Sequence, residues 1–381
     1  MTHNAEQVSQ HQMNSYALRL KGASCALLIA TLAACGGGGG SAAPATSPVS
    51  TSPTTAPTTP TVPTTPTTPT TPVTPTTPVT PTVTVTPTPT SFPLQTSIPT
   101  PTYAANSLEL KAFTTLNAER LNCGFGLLAQ NAHLDLSASK HAEYARLRWE
   151  EGVNTGHDEI PLKSGYYATD TADRALKAGY TGQATEDISY EYVDARYDVG
   201  DRLARHLLDS VYHMANVLNE MMEVGVSVSI ANQVGVPPLA TMVWQPGLQG
   251  FVGQVSSASL LTYPCEGSTG VQTTFVGESP NPFTGVDMGT YTSLGHPIYV
   301  HSPARAPVAL SSADITAASG TVIPSFIYTK ASDPRKAFGD ASSFVIPLAA
   351  LKPSSKYTVQ LRGTVGGIAF AKAFQFTTGT Y

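Results

Sequence analysis

Apolar residues recur along this chain with two different periods, and the change of period divides it. Leu110, Phe113, Leu116 and Leu121 follow roughly helical spacing, and Gly124 stops the run. Leu134-Asp135-Leu136-Ser137 leads into a second helix through about Trp149, with Ala138, Ala142 and Ala145 on a close-packing face. His141 lies one turn from two of these alanines and reads as a packed, hydrogen-bonded helix residue. Thr169 or Asp170 can cap a short helix that ends at Gly179. A further helix is predicted from about Val199 to Leu218, with Leu203, Leu207, Ser210 and Met214 in one stripe. The period then falls to two. Val224, Val226, Val228 and Ile230 alternate with Gly225, Ser227 and Ser229, as in a half-buried strand, and Ala240–Trp244 and Gly250–Val255 are further strands. Glu186–Tyr190 is expected as a short strand of the same sheet. Past Pro264 the pattern is all-β, punctuated by Pro280-Asn281-Pro282 and Gly295-His296-Pro297, and Phe374–Thr378 reads as a closing strand. His296 and His301 there read as surface or turn residues. Helices first and strands later define an α+β chain with two folded parts.

The residues ahead of this pattern are read as targeting and spacing segments. Arg19 and Lys21 precede an apolar core from Ala23 to Leu32, and Leu32-Ala33-Ala34-Cys35 resembles the bacterial lipobox, whose thiol is lipidated. An ordinary signal peptide with small residues at its cleavage site is the alternative. Gly36 after Cys35 favours the outer membrane by analogy with other lipoproteins. The expected location is therefore the bacterial cell envelope, with the lipid as sole membrane anchor, since no other apolar run reaches spanning length. Gly36 to Thr102 is five glycines followed by Thr/Pro repeats, a composition that stays extended and disordered. The expected division is signal peptide 1–35, linker 36–102, first domain 103–266 and second domain 267–381; about 280 residues suffice for two domains. Charged residues make up only 12% and the net charge is −5. No basic face is available, which argues against nucleic acid as a partner. Of four cysteines, Cys25 leaves with the signal and Cys35 carries lipid, so Cys123 and Cys265 remain for a disulfide in an exported chain. Two separate buried thiols are the alternative.

Several phrases between Leu108 and Trp244 occur in a telling order: Leu116-Asn117-Ala118-Glu119-Arg120, His141-Ala142 before Tyr144, Gly156-His157, Arg174 before Gly179-Tyr180, Glu186-Asp187-Ile188, Ser210 before His213, and Thr241-Met242-Val243-Trp244. Each is weak alone. Together the region resembles the CAP superfamily (cysteine-rich secretory proteins, antigen 5, pathogenesis-related 1) in its bacterial form. That resemblance implies a CAP-type α/β/α sandwich. In the second part, Leu351-Lys352-Pro353 before Tyr357-Thr358-Val359-Gln360-Leu361 resembles the fibronectin type III phrase in which the Tyr makes a corner hydrogen bond, implying an immunoglobulin-like β-sandwich.

The superfamily's cavity carries two His and two Glu that can bind a divalent metal. His157 matches the first His and Glu186 the first Glu; the second Glu falls near Ser210 and the second His at Pro238, so half the tetrad is missing. His213 matches the helix His that bacterial members carry after a Ser. The resemblance thus gives His157, Glu186 and His213 as cavity and candidate metal residues. Two imidazoles and a carboxylate can hold zinc with a position left for water, can exchange protons as acid and base, or can form a hydrogen-bonded network tying loops to the sheet. No His-Glu-x-x-His helix, Gly-x-Ser-x-Gly elbow or cysteine–histidine pairing accompanies them, so no catalytic residue is assigned. Asp158 and Glu159 read as solvated loop carboxylates, and Arg174 as a loop anchor that pairs with an acid. Tyr190 and Tyr192 either line the cleft or belong to the sheet edge. Three functions stay open: a cleft binding a lipid or other small amphipathic ligand, with or without zinc or another divalent metal; an envelope hydrolase acting on peptide or peptidoglycan; and adhesion, with the sandwich contacting an envelope or surface partner.

Overall fold

The computed structural model describes residues 91–250, 252–284 and 293–380, so the expected signal peptide, Cys35 and most of the linker lie outside the described residues. The chain is a mixed α+β protein. Its helices are α1 (Leu108–Asn122), α2 (Ala132–Glu150), α3 (Thr171–Lys177), α4 (Val199–Leu208) and α5 (Val211–Val217). Its strands are β1 (Phe92–Pro93), β2 (Ala129–Gln130), β3 (Gln183–Ala184), β4 (Asp187–Tyr192), β5 (Glu223–Ala231), β6 (Leu239–Leu248), β7 (Gln254–Val255), β8 (Leu261–Tyr263), β9 (Ser268–Val271), β10 (Ile298–His301), β11 (Val308–Ala317), β12 (Val322–Ile323), β13 (Ser325–Thr329), β14 (Ser342–Pro347), β15 (Lys356–Val365) and β16 (Ile368–Thr378). Among the described residues no helix is long and apolar enough to cross a membrane.

Local chemistry sets the helix starts. Ser107, Asn131, Asp170 and Asp198 each accept a backbone N–H of the first turn of α1, α2, α3 and α4. The single helix expected from Val199 to Leu218 is two helices. It breaks at Asp209-Ser210, where Ser210 turns to an extended conformation and makes no side-chain cap. The first N–H groups of α5 are satisfied from elsewhere, as described below.

In the N-terminal part, β2, β5, β6 and β3 lie side by side, and β4 also pairs with β6. Alternation along β6 faces two layers. Ala240, Met242 and Trp244 join Phe113 and Leu116 of α1 and Leu203 and Leu207 of α4, whereas Val243 packs on Ala138 and Ala142 of α2. Close approach of α2 requires Gly225 on β5: a Cβ there would lie 2.1 Å from the Leu134 carbonyl carbon. The result is helix on sheet on helix.

The C-terminal part is two facing sheets, β13-β14-β10-β8 and β12-β11-β15-β16-β9. Ile298, Val300 and Val345 meet Val359, Leu361, Phe374 and Phe376 between them. Tyr357 Oη accepts from the Lys352 backbone N–H at 2.7 Å, fixing the corner before β15. The outer face of the four-stranded sheet is also covered. Tyr263, Tyr299, Tyr328 and Phe344 belong to the same apolar cluster as α1, α4, α5, β5 and β6. All residues of β10 and β14 are accordingly buried.

Pairing reaches across the expected limits at residues 102 and 266. Leu261–Tyr263 pairs with β10, so the C-terminal sheets begin before residue 267. Phe92–Pro93 pairs with Gln254–Val255, and Gln95 Nε2 donates to the Leu127 and Met222 carbonyls at 2.9 Å, so the end of the linker is built into the fold. Composition concealed this because Phe92, Leu94 and Ile98 are scattered among prolines. Cys123 and Cys265 form a disulfide across 142 residues, joining the end of α1 to the segment between β8 and β9.

Candidate functional site

The loop between α2 and α3 carries His157 and Glu159 to the end of the sheet where Glu186 precedes β4. His157 Nδ1 lies 3.0 Å from Glu186 Oε1. Arg174, fully buried on α3, donates through Nη2 to both Glu186 oxygens at 2.9 and 2.8 Å. His141 places Nδ1 3.0 Å from Glu159 Oε1 and Nε2 3.0 Å from the Gly156 carbonyl. Burial by itself would raise the Glu186 carboxyl. The charges of His141 and Arg174 and the His157 hydrogen bond outweigh it and hold the carboxyl at about 2. Glu186 is therefore a carboxylate across the physiological range.

Three expectations hold here and one fails. Arg174 does pair with an acid, and His141 is a packed, hydrogen-bonded helix residue. Glu159, read as a solvated carboxylate, is instead 1% exposed, because it also accepts the Tyr167 N–H at 2.6 Å and closes the loop. Asp158 is exposed as expected.

His213 sits on α5, its Nδ1 3.0 Å from Ser210 Oγ and 3.5 Å from Glu278 Oε2. Burial, and then the nearby His157 charge, depress His213 to about 3, so its imidazole is neutral. Glu278 comes from the segment after β9. Its oxygens accept the Val211, Tyr212 and His213 backbone N–H groups at 2.7, 3.0 and 3.1 Å, the capping that Ser210 omits. Burial raises the Glu278 carboxyl, and these N–H bonds and the Ser210 hydroxyl only partly offset it, leaving it at about 7. No sequence pattern marks Glu278; it lies in a turn-rich stretch, beyond the region of resemblance.

The three predicted residues thus form a pair and a neighbour. His157 and Glu186 are hydrogen-bonded, while His213 is tied to Ser210 and Glu278. Both Glu186 oxygens accept from Arg174 and His213 Nδ1 faces Ser210, and among the described residues no three His, Cys, Asp or Glu side chains make a metal-binding group.

Beside them opens a cavity of about 290 Å³, near the lower end of the range of small-molecule sites. Ile188, Tyr190, Leu207 and Leu239 supply apolar wall, Ser210 and His213 a polar end, and Val276 and Gly277 close it from the C-terminal part. Glu191 on this wall is paired with Arg202 at 2.7 Å and lies 3.5 Å from His206 Nε2. A second recess of about 470 Å³, between α5 and the four-stranded sheet, has polar groups satisfied by one another: His301 bonds Glu220 at 2.8 Å and Ser342 at 2.9 Å. His301 and His296 are both buried, not at the surface, His296 lying 3.2 Å from Asp209.

No protein-family model matches the chain, and no curated protein matches it either.

Proposed function

We propose that this chain is an exported, lipid-anchored envelope protein in which a CAP-type α/β/α part, joined to an immunoglobulin-like sandwich, binds a small lipid-like or amphipathic molecule in its cleft. The single observation that carries the reading is the apolar-walled cavity with Ser210 and His213 at one end. The helix–sheet–helix layering supports the CAP-type assignment. The strand order β8-β10-β14-β13 against β12-β11-β15-β16-β9, with the Tyr357 corner bond, supports the immunoglobulin-like one. The lipobox-like run ending at Cys35 supports export and anchoring.

Hydrolysis through His157 and Glu186 is the weaker reading. A carboxylate held by two Arg174 hydrogen bonds has little basicity left for proton abstraction. Titration of the purified chain with an apolar, environment-sensitive dye tests the proposal. Saturable one-to-one binding, weakened at least tenfold by Ile188→Trp with circular dichroism unchanged, is expected. Equal binding in both proteins would refute the cleft assignment.

A further inference from the structure

Five consecutive residues of β4, Ile188 to Tyr192, line the cavity. Side chains alternate between the two faces of a strand, so a cavity against one face would be lined by every second residue only. A wall made of five in a row is the edge of the strand. The flanks agree, since Trp149 of α2 lines the cavity from one layer and Leu207 of α4 from the other.

β4 pairs with β6 and with no other strand among the described residues. The register decides which backbone groups this leaves open. Thr185 and Val193 donate to the Pro246 and Pro238 carbonyls at 3.0 and 2.8 Å, and the pairing runs between them without a shift. In an antiparallel ladder every second residue turns its N–H and C=O to the neighbouring strand. Asp187, Ser189 and Glu191 therefore face β6, while Ile188 and Tyr190 turn theirs outward, along the edge that lines the cavity. None of these four groups has a hydrogen-bond partner among the described residues. Open edges are commonly blunted by a lysine, a proline or a bulge. Ile188-Ser189-Tyr190-Glu191-Tyr192 has none of these.

We infer that the ligand of the cleft is an amphiphile with amide groups beside its alkyl chain, an acylated short peptide, which β4 takes up as an added strand. This rests on the cleft reading above and names its ligand class. Ile188 and Tyr190 stand about 7 Å apart in an extended strand, the reach of two peptide units. Each peptide unit brings one donor and one acceptor, the complement of what the edge presents. The acyl chain packs on Leu207 and Leu239, and a volume of about 290 Å³ closed by Val276 and Gly277 limits the added strand to a few residues. An alcohol of the same chain length fills the apolar wall but offers one polar group where the edge presents four.

Calorimetric titration of the full chain tests this with three probes: N-decanoyl-alanyl-alanine amide, its analogue methylated on both alanine nitrogens, and 1-decanol. The expected result is at least tenfold tighter binding of the unmethylated peptide than of either other probe. Ile188→Pro removes an outward N–H that the ladder with β6 does not use. It is expected to reduce the preference for the unmethylated peptide at least threefold, whereas Ile188→Ala, which trims the side chain and keeps the N–H, retains it. Should Ile188→Pro not fold, the wild-type ratio decides. Equal affinity of the wild type for the two peptides, or a preference kept in full by Ile188→Pro, would overturn the inference; decanol binding beside either result leaves the cleft reading standing. Binding of none of the three would overturn both.

Discussion

At the scale of single residues, two buried glutamates, Glu186 and Glu278, behave in opposite ways. Glu186 is held at about 2 by the His141 charge, the His157 hydrogen bond and the Arg174 charge, and Arg174 bonds both its oxygens. Removing the guanidinium leaves a buried carboxylate without its two charge-assisted hydrogen bonds, so Arg174→Ala should lose about 3–5 kcal/mol in urea unfolding, whereas Glu186→Gln should lose less. Because the folded value lies below the ordinary 4.5 of a glutamate, the stabilisation from Glu186 is complete above about pH 4.5 and disappears as pH falls toward 2. Glu186→Gln should flatten the stability profile in that window. Glu278 has the reverse sign. Its folded value of about 7 lies above 4.5, so the cost of burying its charge grows as pH rises from 4.5 through 7. Glu278→Gln should therefore gain on the wild type across that interval, by up to about 3 kcal/mol, and no further above it. An offset independent of pH would contradict the assignment. The sequence made Glu186 and His157 legible through their motif phrases. Glu159 and Glu278 were not, because the burial of a carboxylate is decided by the partners that the fold brings to it. Nothing next to either residue in the chain announces Tyr167 N–H or the start of α5.

Among the elements, the helix starts were readable and one interruption was not. Ser107, Asn131, Asp170 and Asp198 carry the side chains that cap helices, and the alanine face of α2 matches its position on the sheet. The stripe Leu203, Leu207, Ser210, Met214 continues through Asp209-Ser210 as though the helix did, because a break costs no change of apolar period. What permits it is a distant acceptor. Glu278→Ala should thus destabilise the fold by about 1–2 kcal/mol through loss of the α5 cap, with amide exchange at Val211, Tyr212 and His213 accelerated most. Exchange unchanged at these three amides would show that the cap is dispensable.

The whole molecule is less divisible than its sequence suggests. Alternation and turn residues distinguish an N-terminal helical part from a C-terminal β part, yet Tyr263, Tyr299, Tyr328 and Phe344 share one apolar core with α1, α4 and β6. Aromatic residues on the outer face of a sandwich strand read locally as fully buried strands, and no periodicity names the layer that covers them. A chain ending at residue 259 would expose that core, and we expect it to bind hydrophobic dyes broadly and to lose cooperative unfolding. The Cys123–Cys265 bond closes the same seam, and its removal by Cys123→Ala with Cys265→Ala should cost about 2–5 kcal/mol in denaturant unfolding. Val276 and Gly277 of the C-terminal part line the cavity, and Glu278 lies 3.5 Å from His213 at its polar end. The most direct test of the cleft itself is a crystal structure of the purified chain grown with 1-decanol. The account predicts density for the alkyl chain along Ile188, Leu207 and Leu239, with its oxygen at the end formed by Ser210 and His213. A cleft holding only water, or decanol bound elsewhere on the surface, would contradict it.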